Sequence, residues 1–196
     1  MAETKLTRKE QAAETKKMLF SSALQLLREE GFDKITIRDI VRRAGVSIGT
    51  FYNYYTTKLD VYYETYIIAD EYFDTIVKSE LEQIPDTRKK LHCFFDYYAR
   101  YNCEISDPAL TRLLYNSDNK CFDRHSDIGM LPLLTSIIEE GLKNGTLTAV
   151  QSASEITRFL MISLRGLVYD WCTHDCLYDL RQAVADYSEL LLKIFI

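Results

Sequence analysis

At 196 residues, 47% of them hydrophobic, the chain is long enough to bury a substantial core in one or two small domains, and it has no run of about 18 apolar residues to span a membrane. The N-terminus, MAETKLTRKEQ, lacks the apolar centre of a secretory signal, and five cysteines are an odd number, so a cytoplasmic setting with reduced thiols is expected over a disulfide framework. The net charge of −5 conceals a basic head: the first 58 residues hold 11 Lys and Arg against 7 Asp and Glu, the remainder 13 against 22, which turns the head alone toward a polyanion.

In chain order the pattern reads as helix nearly throughout, giving an all-α fold class. Lys5, Arg8 and Lys9 form either an arm along a polyanion or, more simply, a frayed terminus. Leu19, Ala23, Leu26 and Leu27 then share one face of a first long helix, which Gly31 ends. Thr36 and Asp39 make an N-cap pair for a short second helix from Ile37 to Ala44, with Ile37, Ile40 and Val41 on its inner side. Gly45 closes it in a left-handed turn, Val46 points inward, and Ser47 caps a third helix from Ile48 to Tyr54 or Tyr55.

Two helices joined by a short turn containing glycine form a helix-turn-helix, here over about residues 36–55, whose second helix enters the major groove of DNA. Over Thr36–Lys58, with Gly31-Phe32 upstream, the chain resembles the tetracycline-repressor (TetR) family of transcriptional regulators. The spacing that carries the likeness runs from Gly31 through Ala44-Gly45-Val46-Ser47 to Gly49-Thr50-Phe51-Tyr52 and Lys58. The resemblance implies a three-helix DNA-binding domain at 1–58 and an effector-binding and dimerisation domain at 59–196. It implies a repressor that binds a palindromic double-stranded operator as a homodimer and answers a small-molecule effector, with no catalytic residues, cofactor or metal.

By the same resemblance Arg38 is a base or phosphate contact, and Ser47, Ile48, Gly49 and Thr50 form the start of the recognition helix. Tyr52 matches a phosphate-binding tyrosine, Asn53 and Tyr54 take variable contact positions, and Lys58 grips the DNA backbone. Ile48 departs from the polar residue common there; it packs on a thymine methyl or simply shields the helix start. Asn53 has the amide to read adenine, but an exposed asparagine is as often only solvated. Arg42 and Arg43 add to the positive field.

Beyond Lys58 a long helix is expected, capped by Thr57 with Asp60 and broken at Pro85. Asp86 caps the next, from Thr87 to about Cys103, and Pro108 begins looser structure around a short helix. Further helices are expected near Leu131–Lys143, Ser152–His174 (with a Ser152/Glu155 capping box) and Leu177–Phe195. The last two are apolar on more than one stripe, which fits a homodimer interface or a deeply buried pair within one chain.

Aromatics crowd residues 93–103. Phe95, Tyr98 and Asn102 share a stripe there, and Tyr115, Phe122, Phe159 and Trp171 are expected to converge with them as a ligand pocket, the plain alternative being aromatic core packing. Cys172, His174 and Cys176 offer too few ligands for structural zinc, and a redox or metal-responsive regulator through Cys172 and Cys176 is the lesser alternative. No phosphate-cradling glycine loop or nucleophile elbow occurs, so an enzyme is not expected. A helical protein-interaction adaptor is the remaining rival.

Overall fold

A computed structural model describes residues 7–115 and 129–195. Ten α-helices and no strand occur among the described residues. The chain divides into two compact units, Met1–Thr65 and Tyr66–Ile196, so the division falls within a helix.

In the first unit α1 spans Arg8–Glu30, opened by a Thr7/Glu10 capping box, so Arg8 and Lys9 belong to a capped helix and not to a frayed arm. Lys5 lies outside the described residues. Leu19, Ala23, Leu26 and Leu27 are buried as their spacing required. A 3-10 turn, Phe32–Lys34, leads to α2, Ile37–Ala44, and then α3, Ile48–Tyr52. The unit's core closes on Ile35, Ile40, Val41, Phe51, Val61 and Tyr62.

α3 is shorter than its sequence suggests. The amides of Tyr54 and Tyr55 both donate to the Phe51 carbonyl at 3.0 Å, which tightens the last turn and swings Tyr55 inward. The Asp60 carboxylate then accepts from the amides of Thr56 (2.9 Å) and Thr57 (2.7 Å), starting the next helical segment.

That segment is helical throughout but not one α-helix. It opens as a 3-10 turn at Asp60–Tyr63, continues as α4 (Glu64–Tyr72), widens into a π turn at Phe73–Val77 and ends as α5, Lys78–Leu81. Phe73, Val77 and Leu81 all stay buried across the π turn.

In the second unit Asp86 caps α6, Thr87–Arg100, through the Lys89 amide at 2.8 Å, and a second π turn, Tyr101–Ile105, follows. Then come α7 (Pro108–Leu114), α8 (Met130–Asn144), α9 (Ala153–Thr173) and α10 (Leu180–Leu192). The Ser152/Glu155 capping box opens α9 as expected. α10 starts later than Leu177, because the Asp179 side chain takes the Gln182 amide at 3.0 Å and the preceding turn holds Asp175 and Cys176 at φ 57° and 60°. α6 packs against α8 and α10, and α9 against the same two helices. No helix among the described residues is long and apolar enough to cross a membrane.

Candidate nucleic-acid interface

The α2–α3 corner is set by three local devices. Thr36 and Asp39 exchange backbone and side-chain hydrogen bonds at the start of α2 (3.0 and 3.3 Å). At its end Gly45 takes φ 69°, ψ 26°, a left-handed conformation that a side chain disfavours, and the Val46 amide donates back to the Val41 carbonyl at 3.0 Å. Ser47 then caps α3, its Oγ accepting from the Thr50 amide at 3.0 Å and lying 2.9 Å from the Thr50 hydroxyl.

The result is a short helix with two unlike sides. Phe51 is fully buried and pins the inner side, while Ile48 is 41% and Tyr52 56% exposed. Gly49 and Asn53 join them on the outer side. A methyl group on Gly49 would meet only the Ser47 hydroxyl, at an ordinary 3.6 Å, so nothing within the chain demands a bare backbone there. The α3 N-terminus and its outward residues therefore form a surface able to present backbone amides, an amide side chain and a phenol to a groove.

The basic residues divide. Arg38 is exposed and has no partner among the described residues. Arg42 pairs with Asp39, and Arg43 with Glu29 at 2.7 Å. Lys58 is half-buried; its ammonium donates to the carbonyls of Phe32 (2.7 Å) and Ile35 (2.9 Å) and sits 4.1 Å from the Phe32 ring centre. That lysine fastens the unit together, leaving at most one N–H for a phosphate. Tyr54 is half-buried beside Tyr55.

Three residues that sequence reasoning did not single out complete the arrangement. The Tyr55 hydroxyl and the Lys16 ammonium each donate to the same Glu64 oxygen at 2.8 Å. Burial first, and the adjoining Glu64 second, push the Tyr55 phenol far up, so it stays a neutral donor. Lys16 and Glu64 lie 48 positions apart, and nothing in their local pattern announces the meeting.

In the second unit the predicted pocket residues only partly converge. Phe95, Tyr98 and Asn102 are buried, and the Tyr98 and Tyr115 hydroxyls lie 2.8 Å apart. The Asn102 side-chain amide donates to the Tyr98 carbonyl at 2.8 Å, and the Asn102 backbone carbonyl accepts from the Thr111 hydroxyl at 2.9 Å. Burial pushes the Tyr98 phenol up to about 12 and that of Tyr115 well above its ordinary value. Trp171 is buried and donates to the Tyr178 carbonyl at 2.9 Å. Phe159 does not join them: it is 41% exposed and stands edge-on to Phe195, because it belongs to the outer stripe of α9. Phe122 lies outside the described residues. Cys172 is buried, which pushes its thiol up to about 12, and His174 contacts the Asp170 carbonyl at 2.9 Å.

α9 and α10 leave a second apolar face uncovered. Phe159, Ile162 and Tyr169 on α9, and Tyr187, Leu190 and Ile194 on and just after α10, are 41–61% exposed. Gly166, midway along the α9 stripe, has nothing within 4 Å of where a methyl group would stand.

Residues 19–64, which contain this corner and both its helices, match the model of the tetR family of bacterial regulatory proteins. Over those residues the chain carries the DNA-binding region of the tetR family. It is a DNA-binding transcriptional regulator. Among curated relatives, the uncharacterized HTH-type transcriptional regulator YhgD of Bacillus subtilis is 23% identical over 171 residues, spanning 80% of this chain and 83% of that one. The fatty acid metabolism regulator protein of the same organism is 21% identical over 179 residues, spanning 89% and 92%. Among solved structures, Thermus thermophilus FadR in complex with lauroyl-CoA superposes with a TM-score of 0.73 at 23% identity, covering 90% of this chain and 93% of that one. B. subtilis FadR in complex with stearoyl-CoA gives 0.72 at 19%, covering 90% and 97%. These likenesses extend the tetR-family fold across the second unit.

Proposed function

We propose that the protein is a repressor that occupies a palindromic operator as a homodimer and leaves it when a small apolar molecule enters the second unit. The observation that carries the reading is α3. Its capped N-terminus, bare Gly49 and outward Tyr52 and Asn53 fit a major groove, with Arg38 free to add a contact. A palindrome calls for two copies, and the uncovered apolar stripes of α9 and α10 supply a self-complementary face for them. The body carries the excess negative charge, which disfavours an anionic group in the buried part of an effector. The Tyr98–Tyr115 hydroxyl pair offers a polar mark within apolar walls. Long-chain acyl thioesters are the first class to try, since the two FadR structures of like fold hold stearoyl-CoA and lauroyl-CoA.

The test is selection of duplexes from a random-sequence pool by the full chain, followed by titration of the selected duplex with lauroyl-CoA and stearoyl-CoA. The expected outcome is enrichment of an inverted repeat with half-sites about one helical turn apart, and its release by at least one thioester. Coupling of about 1–3 kcal/mol corresponds to severalfold to a hundredfold weaker DNA binding. Enrichment of no motif sinks the operator reading; an inverted repeat bound equally well with every thioester sinks the effector class alone.

A further inference from the structure

We infer that Glu64 is a positioning residue for DNA reading, tying the segment that follows α3 to α1 through Tyr55 and Lys16. The inference rests on the reading of α3 as the recognition helix. One oxygen of the Glu64 carboxylate accepts from the Tyr55 hydroxyl and from the Lys16 ammonium, both at 2.8 Å. The Glu64 side chain is 14% exposed and that of Lys16 38%, so the pair is shielded well beyond an ordinary surface ion pair. The Lys16 ammonium also lies 5.8 Å from the centre of the Tyr55 ring, so the three groups form one cluster.

Tyr55 is the mechanical link. Its ring is buried at 6% exposure, 5.4 Å from the ring of Phe51, the residue that pins the inner side of α3. Shifting Glu64 either drags Tyr55 and Phe51 with it or breaks a hydrogen bond to a charged acceptor. The preceding residues hold other parts of the unit. Tyr62 donates to the Ala23 carbonyl at 2.9 Å, and Lys58 to the carbonyls of Phe32 and Ile35. Glu64 reaches the reading segment, and it is also the first residue of α4, the helix that carries the chain into the second unit. The residue that opens α4 therefore holds the segment that follows the recognition helix.

Base-edge hydrogen bonds demand a tighter placement of α3 than the electrostatics of phosphates do, so loss of this tie should fall on specificity. The test uses a duplex selected by the wild-type chain and a scrambled duplex of equal length, with affinities from fluorescence anisotropy at one salt concentration. Tyr55→Phe removes only the hydroxyl; Glu64→Gln keeps a carbonyl acceptor and removes the charge. Tyr55→Phe is expected to lower affinity for the selected duplex by about tenfold, the scale of one hydrogen bond to a charged group. Binding to the scrambled duplex should stay within about twofold, since that term is sequence-independent. The Tyr55→Phe/Glu64→Gln pair should bind no worse than the weaker single variant, because one change removes and the other weakens the same hydrogen bond. Circular dichroism at the assay temperature gives the folded fraction. Equal losses on both duplexes in step with that fraction would make the tie merely structural and overturn the inference, as would an unchanged specificity ratio or additive losses. A wild-type chain that selects no duplex sinks the recognition-helix reading itself, an outcome separate from any variant's behaviour.

Discussion

Gly49 separates what folding requires from what the proposed DNA contact requires. It sits in a helix, where glycine costs about 1 kcal/mol relative to alanine, and a methyl group there would meet nothing closer than 3.6 Å. Gly49→Ala should therefore leave the melting temperature unchanged or raise it, by up to about 1 kcal/mol of stability. It should nonetheless weaken binding to a selected duplex, since the added methyl lies on the face proposed to meet the groove. A thermal melt and an anisotropy titration of the same preparation check both halves; a stabler protein with undiminished operator affinity would remove Gly49 from the interface. At this scale the sequence was informative wherever the causes are local. Thr36 with Asp39, Gly45, Ser47 and Ser152 with Glu155 act within four residues of themselves, and each does what its chemistry implies. Lys58 was not legible in the same way. Its partners are carbonyls of Phe32 and Ile35, and a backbone acceptor leaves no trace in side-chain identity.

Among the elements, α8 comes close to its surroundings at Gly141. A methyl group there would lie 2.7 Å from Leu147 Cδ1 and 2.9 Å from Thr87 Cγ2. Leu147 is buried, and its amide donates to the Gly141 carbonyl at 3.0 Å, so it has little room to yield. Overpacking, at about 1–3 kcal/mol, then outweighs the gain of about 1 kcal/mol from alanine's helix propensity. Gly141→Ala should be net destabilising, seen as an earlier midpoint in urea with an unchanged slope. A midpoint at or above that of the wild type would mean that Leu147 repacks freely. Periodicity announced the helices, but not the π turns at Phe73–Val77 and Tyr101–Ile105, which interrupt rods whose apolar pattern runs on unbroken. Nor could it assign Phe159, since an apolar residue on a two-striped helix has the same letter whether it faces inward or outward.

For the molecule as a whole, the outer stripes of α9 and α10 bear on the proposed homodimer. Leu190 is 61% and Ile162 53% exposed, so a charge at either should cost the isolated chain little. Leu190→Glu and Ile162→Glu should nevertheless shift sedimentation from dimer to monomer and abolish tight binding to an inverted repeat, while a single half-site still binds weakly. Gly166→Ala sharpens the point. It should stabilise a monomer through helix propensity, by up to about 1 kcal/mol, yet loosen a dimer whose helices approach closely at that residue. Dimers that persist in both charge variants would place the interface elsewhere.

The boundary between the two units has a consequence for modularity. Val61 and Tyr62 lie within the core of the first unit, and Glu64 holds Lys16 and Tyr55, although all three follow Lys58, where the sequence motif ends. A DNA-reading head exchanged between relatives at the end of its motif would leave behind two core side chains and the acceptor that anchors its reading segment. The transferable cassette runs through Thr65, and the first turn of α4 travels with the head although it begins the helix of the body. The seam of such an exchange lies inside a helix and not in a loop, so a recombinant must match helical register there as well as partners at the core.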